Sequence, residues 1–176
     1  MAKAQHMTNL HGSVMVRKDH PQIVFRGILD GVMADVGFGA ALAIKDGNIG
    51  LQQKLEQINL CLMQVMSAHV RGMEPELPNV GGRDMETLHE MSHNPEKYFG
   101  CFHFIPKPEQ GLALAWLNVI RTRVRDAERA LVACGGENPD EALCRAVNRI
   151  SSAVFVMMCE ENSHFIHAEG DTEPCE

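Results

Sequence analysis

Arg121-Thr-Arg-Val-Arg125-Asp-Ala-Glu128-Arg129 sits at the centre of residues 112–134, the stretch whose spacing decides the fold. Apolar or small residues recur at Ala113, Leu117, Ile120, Val124, Ala127, Leu131 and Cys134. That three-four alternation is the period of a helix with one buried face. Arg121, Arg125 and Glu128 fall at i, i+4 and i+7, so they form a second stripe along the same helix. Two readings of that stripe stand side by side. It is a solvated face with an internal Arg–Glu pair, or it is an anion site, because a guanidinium presents a fork of donors that matches phosphate oxygens.

Composition narrows the classes around this helix. With 176 residues, one domain and a real core are expected. The chain is 45% hydrophobic but only 5% aromatic, and this argues against an all-β fold. A formal net charge of −7 argues against a general nucleic-acid binder. No uninterrupted apolar run approaches the roughly 20 residues of a membrane span. Met1-Ala-Lys-Ala-Gln-His-Met7 lacks the apolar core of a signal peptide. A cytoplasmic protein, with neither nucleic acid nor membrane as partner, is the expectation. Cys61, Cys101, Cys134, Cys144, Cys159 and Cys175 contain no Cys-x-x-Cys pair and read as reduced and structural.

Outward from the central helix, the other elements follow. Residues 1–22 carry no periodic pattern before Val14, and Lys18-Asp-His-Pro21 reads as a turn into a helix. A helix is expected over 23–45, with Ile23, Gly27, Asp30, Ala34, Gly37 and Ala41 along one side. Its small residues suit close approach of a neighbouring helix or of a ligand. Asp46-Gly-Asn48 breaks it, and Asn48 is placed to cap the next. Leu51, Leu55, Ile58, Leu62, Val65, Met66 and Val70 mark a second amphipathic helix. Pro75, Pro78, Gly81 and Gly82 make residues 71–83 a loop. A short helix over 85–92 follows, then an irregular, aromatic-rich connection over 94–111. Gly135-Gly136 stops the central helix. Asn138-Pro139-Asp140-Glu141 restarts the chain, with Asn138 as the expected cap. The last helix buries Leu143, Val147, Ile150, Val154 and Met157. The predicted fold is all-α: an up-and-down bundle of four long helices plus one short one. Its parts are an N-terminal segment (1–22), the bundle (23–162) and a flexible acidic tail (163–176).

His89-Glu-Met-Ser-His93 spells the zinc-protease motif and sets two imidazoles on one helical face. No third ligand follows at metalloprotease spacing, and the helix ends at Asn94-Pro95. The pair therefore reads as structural or ligand-positioning, with a metal site on His89 and His93 as the alternative.

Four runs in this order resemble the ATP:cob(I)alamin (corrinoid) adenosyltransferases: Lys18-Asp-His-Pro21, Gly27-Ile-Leu-Asp30, the arginine-rich run at 121–129, and Asn148-Arg-Ile-Ser-Ser152. Leu88-His89-Glu-Met-Ser-His93-Asn-Pro95 and Ala115-Trp-Leu-Asn-Val-Ile-Arg-Thr122 bring the resemblance nearer to the ethanolamine-utilisation branch than to the propanediol-utilisation branch. It covers residues 8–160. It implies a five-helix bundle, assembling as a trimer with active sites between subunits (a dimer is the alternative). It also implies transfer of the adenosyl group of ATP, accompanied by Mg2+, to reduced cobalamin. In that reaction cobalt(I) attacks the ribose 5′ carbon and triphosphate leaves.

By the same resemblance, Arg125 and Glu128 are ATP-site residues, Lys18 a phosphate contact and Asn148 an ATP contact. Arg121 is the salt-bridge partner of Asp30. Phe102 or Phe104 is the aromatic that crowds out the lower axial ligand of cobalamin. Two family features are absent from the sequence. Upstream of Lys18 stands Thr8-Asn9-Leu10-His11-Gly12-Ser13 instead of a Thr-Gly-Asp-rich phosphate loop, and there is no adjacent Cys pair for a His–Cys metal cluster. A corrinoid-binding or regulatory relative without turnover is therefore the competing reading, and a helical scaffold the third.

Overall fold

Three of the four long helices begin where a side chain or a proline relieves the first unpaired amides. The computed structural model describes residues 4–169, and the side chains of residues 4–163. α1 (Pro21–Lys45) has Pro at its first position, and the His20 ring accepts from the Gln22 amide. In α2 (Ile49–Arg71), Asn48 Oδ1 accepts from the Leu51 amide at 2.9 Å, so the expected cap is in place. α3 (Met85–His93) is capped in the same way by Asp84, whose Oδ1 accepts from Thr87. α5 (Leu112–Gly135) ends at the glycine pair, with Gly136 at a φ of +58°. α6 (Glu141–Glu169) is capped by Asp140, whose Oδ1 accepts from the Leu143 amide at 3.0 Å. Asn138, the expected cap, instead closes a turn onto the Gly135 carbonyl. A capping carboxylate works only from the residue directly before the first turn, and Pro139 keeps that turn from starting earlier.

The long helices form a ring in which α1 packs on α2 and α5, and α6 packs on the same two. Cross-pairs set the directions. Phe25 meets His69 between α1 and α2. Gly31 and Gly39 of α1 face Arg123 and Trp116 of α5. Lys54 of α2 pairs with Glu160 of α6. Every neighbour is thus antiparallel, as the expected bundle requires. Chain order is nevertheless up, down, down, up, because residues 72–111 are long enough to return along α6 before α5 begins. Along that return lie α3 and the short α4 (Pro95–Phe99). Phe25, Leu29, Ile58, Leu62, Ile120, Val124, Val147, Ile150 and Val154 fill the centre with no exposed surface. Burying each such side chain contributes about 1.5–3 kcal/mol.

Three expectations change. A two-stranded hairpin, β1 (Met7–His11) with β2 (Val14–Arg17), precedes the bundle; its alternation is too short and too broken to read from sequence. It is tied to α1 by Arg26, which donates to the Leu10 carbonyl. The predicted tail is helical through Glu169, and Asn162 is fully buried, with its Oδ1 accepting from Gln110. Residues 170–176, with Cys175, lie outside the described residues. Finally, α1 and the 141–163 part of α6 are long and apolar enough to cross a membrane, although charged residues interrupt both. α6 is mostly covered by its neighbours, whereas α1 turns a face outward. That face carries Gly27, Asp30, Ala34, Gly37 and Ala41, all exposed. Of the α1 glycines, Gly39 makes the closest helix packing inside the chain, with Trp116 Cδ1 3.0 Å from where its Cβ would stand. The stripe read as packing surface therefore faces away from this chain's own core.

Candidate functional site

A cavity of about 350 Å³ opens between α5, α6, α3 and the segment after α4. α5 supplies Arg121 and Arg125, one turn apart, on the flank of the stripe that buries Ile120, Val124 and Ala127. α6 supplies Asn148, Ser151 and Ser152, the polar interruptions of an otherwise apolar helix, together with Phe155. Ser92 and His93 come from α3, and His103 and Phe104 from the irregular connection. The cavity is thus two-sided. One wall is cationic and polar. The other is aromatic, with His103 edge-on to Phe155 at 4.7 Å and Phe104 6.2 Å from the same ring.

The charges on the cationic wall lack compensation. Arg121 is partly buried, and among the described residues its guanidinium donates only to Asn118 Oδ1, at 3.1 and 3.3 Å. Burial and the neighbouring Arg125 lower its pKa. Arg125 holds no hydrogen bond or ion pair among the described residues. No carboxylate belongs to the described lining. Two guanidiniums held one turn apart repel each other, and a bound anion relieves that repulsion. Glu128 lies one turn further along α5, where it accepts from Asn148 Nδ2 at 3.1 Å. Of the two readings of the arginine row, the geometry thus favours an anion-facing cleft. Arg123 and Arg129, not Arg121 or Arg125, make surface ion pairs, with Asp35 at 3.2 Å and with Asp126.

Other expected site residues lie elsewhere. Asp30 does not pair with Arg121 within the chain. It is exposed on the outward face of α1, while Arg121 points from α5 toward α3 and α6. Lys18 is exposed at the foot of the hairpin and does not line the cavity. The hairpin docks on α1, so the segment in the phosphate-loop position does not close over the arginines. Phe102 is 61% exposed, whereas Phe104 is half-buried and lines the cleft, so the structure separates the two candidates.

His89 and His93 stack edge to face at 4.1 Å. His89 Nδ1 lies 3.0 Å from Ser152 Oγ, and His93 Nδ1 donates to the His89 carbonyl at 2.9 Å. That bond puts the His93 proton on Nδ1 and leaves Nε2 as the acceptor. Burial, then Arg149 and His93, lower the His89 pKa. Among the described residues no group of three or more His, Cys, Asp or Glu is placed to hold a metal. Sequence reasoning did not assign His103, Phe155 or Ser92 to the site. Ser92 and Ser151, each only 5% exposed, are buried polar side chains that mark the cleft. The cysteines Cys61, Cys134 and Cys144 are free thiols, and burial pushes that of Cys61 up to about 12.

Comparison with known proteins agrees with the order of motifs. The chain is similar to the corrinoid adenosyltransferase EutT of Escherichia coli K12, with 31% identity over 160 residues, covering 89% of this chain and 58% of that protein. EutT of Salmonella typhimurium LT2 is 30% identical over 161 residues, again covering 89% and 58%. A corrinoid adenosyltransferase of Citrobacter freundii is 27% identical over 155 residues, covering 85% and 86%. The chain therefore spans 58% of the length of the EutT relatives it matches. No solved structure matches it. The family described as cobalamin adenosyltransferase matches residues 2–161, nearly the whole bundle and its hairpin, and the chain belongs to that family.

Proposed function

We propose that this protein transfers the adenosyl group of ATP to the cobalt of a reduced corrinoid, in the branch that serves ethanolamine utilisation, and that it works in the cytoplasm. One observation carries the reading: two arginines without carboxylate partners face a cleft whose opposite wall is aromatic. Anionic phosphates match the first wall, and the apolar face of a corrinoid matches the second.

When both substrates are bound, cobalt(I) supplies the electron pair that forms the bond to the ribose 5′ carbon. The carbon–oxygen bond breaks, and triphosphate leaves with that bond's electrons. The protein's own residues have simpler tasks. Arg121 and Arg125 hold the phosphates and stabilise charge growing on the leaving group. Asn148 and Glu128 orient the nucleoside. Phe104 and Phe155 keep water from the face where cobalt must lose its lower ligand. A magnesium ion would enter with the phosphates, since the described lining offers no carboxylate to cage it.

We also propose that the working form is a homotrimer. The outward stripe of α1 suits close contact with a second copy, and Asp30 on that stripe is the carboxylate Arg121 lacks within its own chain.

The test is an assay with ATP and chemically reduced cobalamin, read by the absorbance of the cobalt–carbon product. Product above the enzyme-free background is expected; none would overturn the enzymatic reading. A shifted corrinoid spectrum without product would point to the non-catalytic relative.

A further inference from the structure

We propose that Arg149 is a positioning residue: it acts through Asn148 to aim that amide at Glu128. Arg149 does not line the cleft. It lines a neighbouring groove of about 430 Å³, where its Nε donates to Glu86 Oε1 at 3.0 Å. From the same guanidinium, Nη1 donates to Asn148 Oδ1 at 3.3 Å. The far end of that amide, Nδ2, donates to Glu128 Oε1.

The chemistry of the end groups dictates the orientation. An amide side chain can present either its oxygen or its nitrogen to a neighbour. Arg is a donor only, so it must face Oδ1, and an ionised carboxylate is an acceptor only, so it must face the NH2 group. Arg149 and Glu128 thus agree on a single rotamer. Without Arg149, the amide loses the partner on its oxygen and is held by Glu128 alone. Glu86 in turn fixes the fork, and Arg149 lowers the pKa of its carboxyl. The arrangement is in register, because Glu86 and His89 are three residues apart on α3 and meet Arg149 and Ser152, three apart on α6. The short helix therefore supports the polar wall of the cleft from behind.

This inference rests on the proposed nucleotide site for its kinetic consequence, but not for its structural one. Arg149→Met keeps the aliphatic stem and removes the donors. It is expected to raise KM for ATP about tenfold, the scale of one hydrogen bond, with kcat within about twofold. Asn148→Ala is expected to raise KM for ATP at least as much, and Arg149→Met is expected to add nothing in an Asn148→Ala background. Arg149→Lys keeps the charge without the fork, so an intermediate KM is expected. The second measurement is the side-chain amide signal of Asn148 in protein labelled with nitrogen-15 on asparagine. It should move in Arg149→Met and, by a smaller shift, in Glu86→Gln. Independent, multiplicative effects of the two substitutions, or an amide signal unmoved in Arg149→Met, would overturn the proposal. Absence of adenosyl transfer in the unmodified protein would instead overturn the function, and the amide signal would still decide the role of Arg149.

Discussion

Arg121 of α5 bonds to Asn118, one turn behind it, and Asp30 of α1 stands exposed on the far side of that helix. The two residues that the family resemblance pairs are thus both present and unpaired within one chain. In the proposed homotrimer, a second copy would bring them together. Asp30→Asn is expected to reduce turnover and shift sedimentation toward the monomer, with the urea midpoint of the isolated chain unchanged. Unaltered sedimentation and turnover would make Asp30 a solvated carboxylate of no consequence.

Arg125 is exposed and holds no partner among the described residues, so its loss should change stability by no more than about 0.5 kcal/mol. A lost charge-assisted contact to phosphate should cut turnover by roughly ten- to a hundredfold. Glu128→Ala is expected to behave likewise, since it frees the Asn148 amide. Turnover measured beside thermal unfolding checks both. Normal activity in both variants would return the arginine row to the solvated-face reading.

Phe104 and Phe102 separate by position. Phe104→Ala removes part of the aromatic wall and is expected to slow adenosyl transfer about tenfold or more. Phe102→Ala, at a side chain that points to solvent, should stay within about twofold of the parent. Reversed effects would assign the corrinoid-facing role to Phe102.

Two glycine substitutions test the packing. A Cβ at Gly39 would stand 3.0 Å from Trp116 and 3.2 Å from Ile120, so Gly39→Ala is expected to cost about 1–3 kcal/mol. At Gly50 the nearest atom is Asn48 Oδ1 at 3.8 Å, and Gly50→Ala should gain about 0.5–1 kcal/mol by restricting the unfolded chain. Urea midpoints that rank the two variants the other way would show that α1 does not pack on α5 as described.

The pH dependence has a definite sign. Burial, followed by Arg26, lowers the His69 pKa from 6.5, and burial, followed by Arg149, lowers that of His89. The unfolded chain therefore takes up protons that the native state refuses as pH drops below 6.5. Stability is complete above that value, declines as pH falls from it toward the lowered folded pKa values, and levels off below them. Urea midpoints measured from pH 7.5 to 5 should show the decline, and His69→Gln should flatten part of it. A midpoint independent of pH over that range would contradict the burial of both rings.

The sequence by itself determined the long helices, their apolar stripes and most of their ends. Capping groups and three-four periodicity act over a single turn, so residues such as Asn48, Asp84 and Gly136 carry their instructions locally. The family resemblance singled out Arg121, Arg125 and Asn148, which line one cavity, and Glu128, which bonds to Asn148. Only the tertiary structure decided which of them meet. Asp30 and Arg121 parted because their helices present different faces to each other. Phe104 turned inward while Phe102 turned out, in a segment without periodicity. Arg149 acquired a role that no spacing reveals, because its partners Glu86 and Asn148 meet only where α3 lies along α6. A side chain's orientation within its own helix is set by the neighbours in sequence; what it faces is set by elements far along the chain, and no local pattern encodes that.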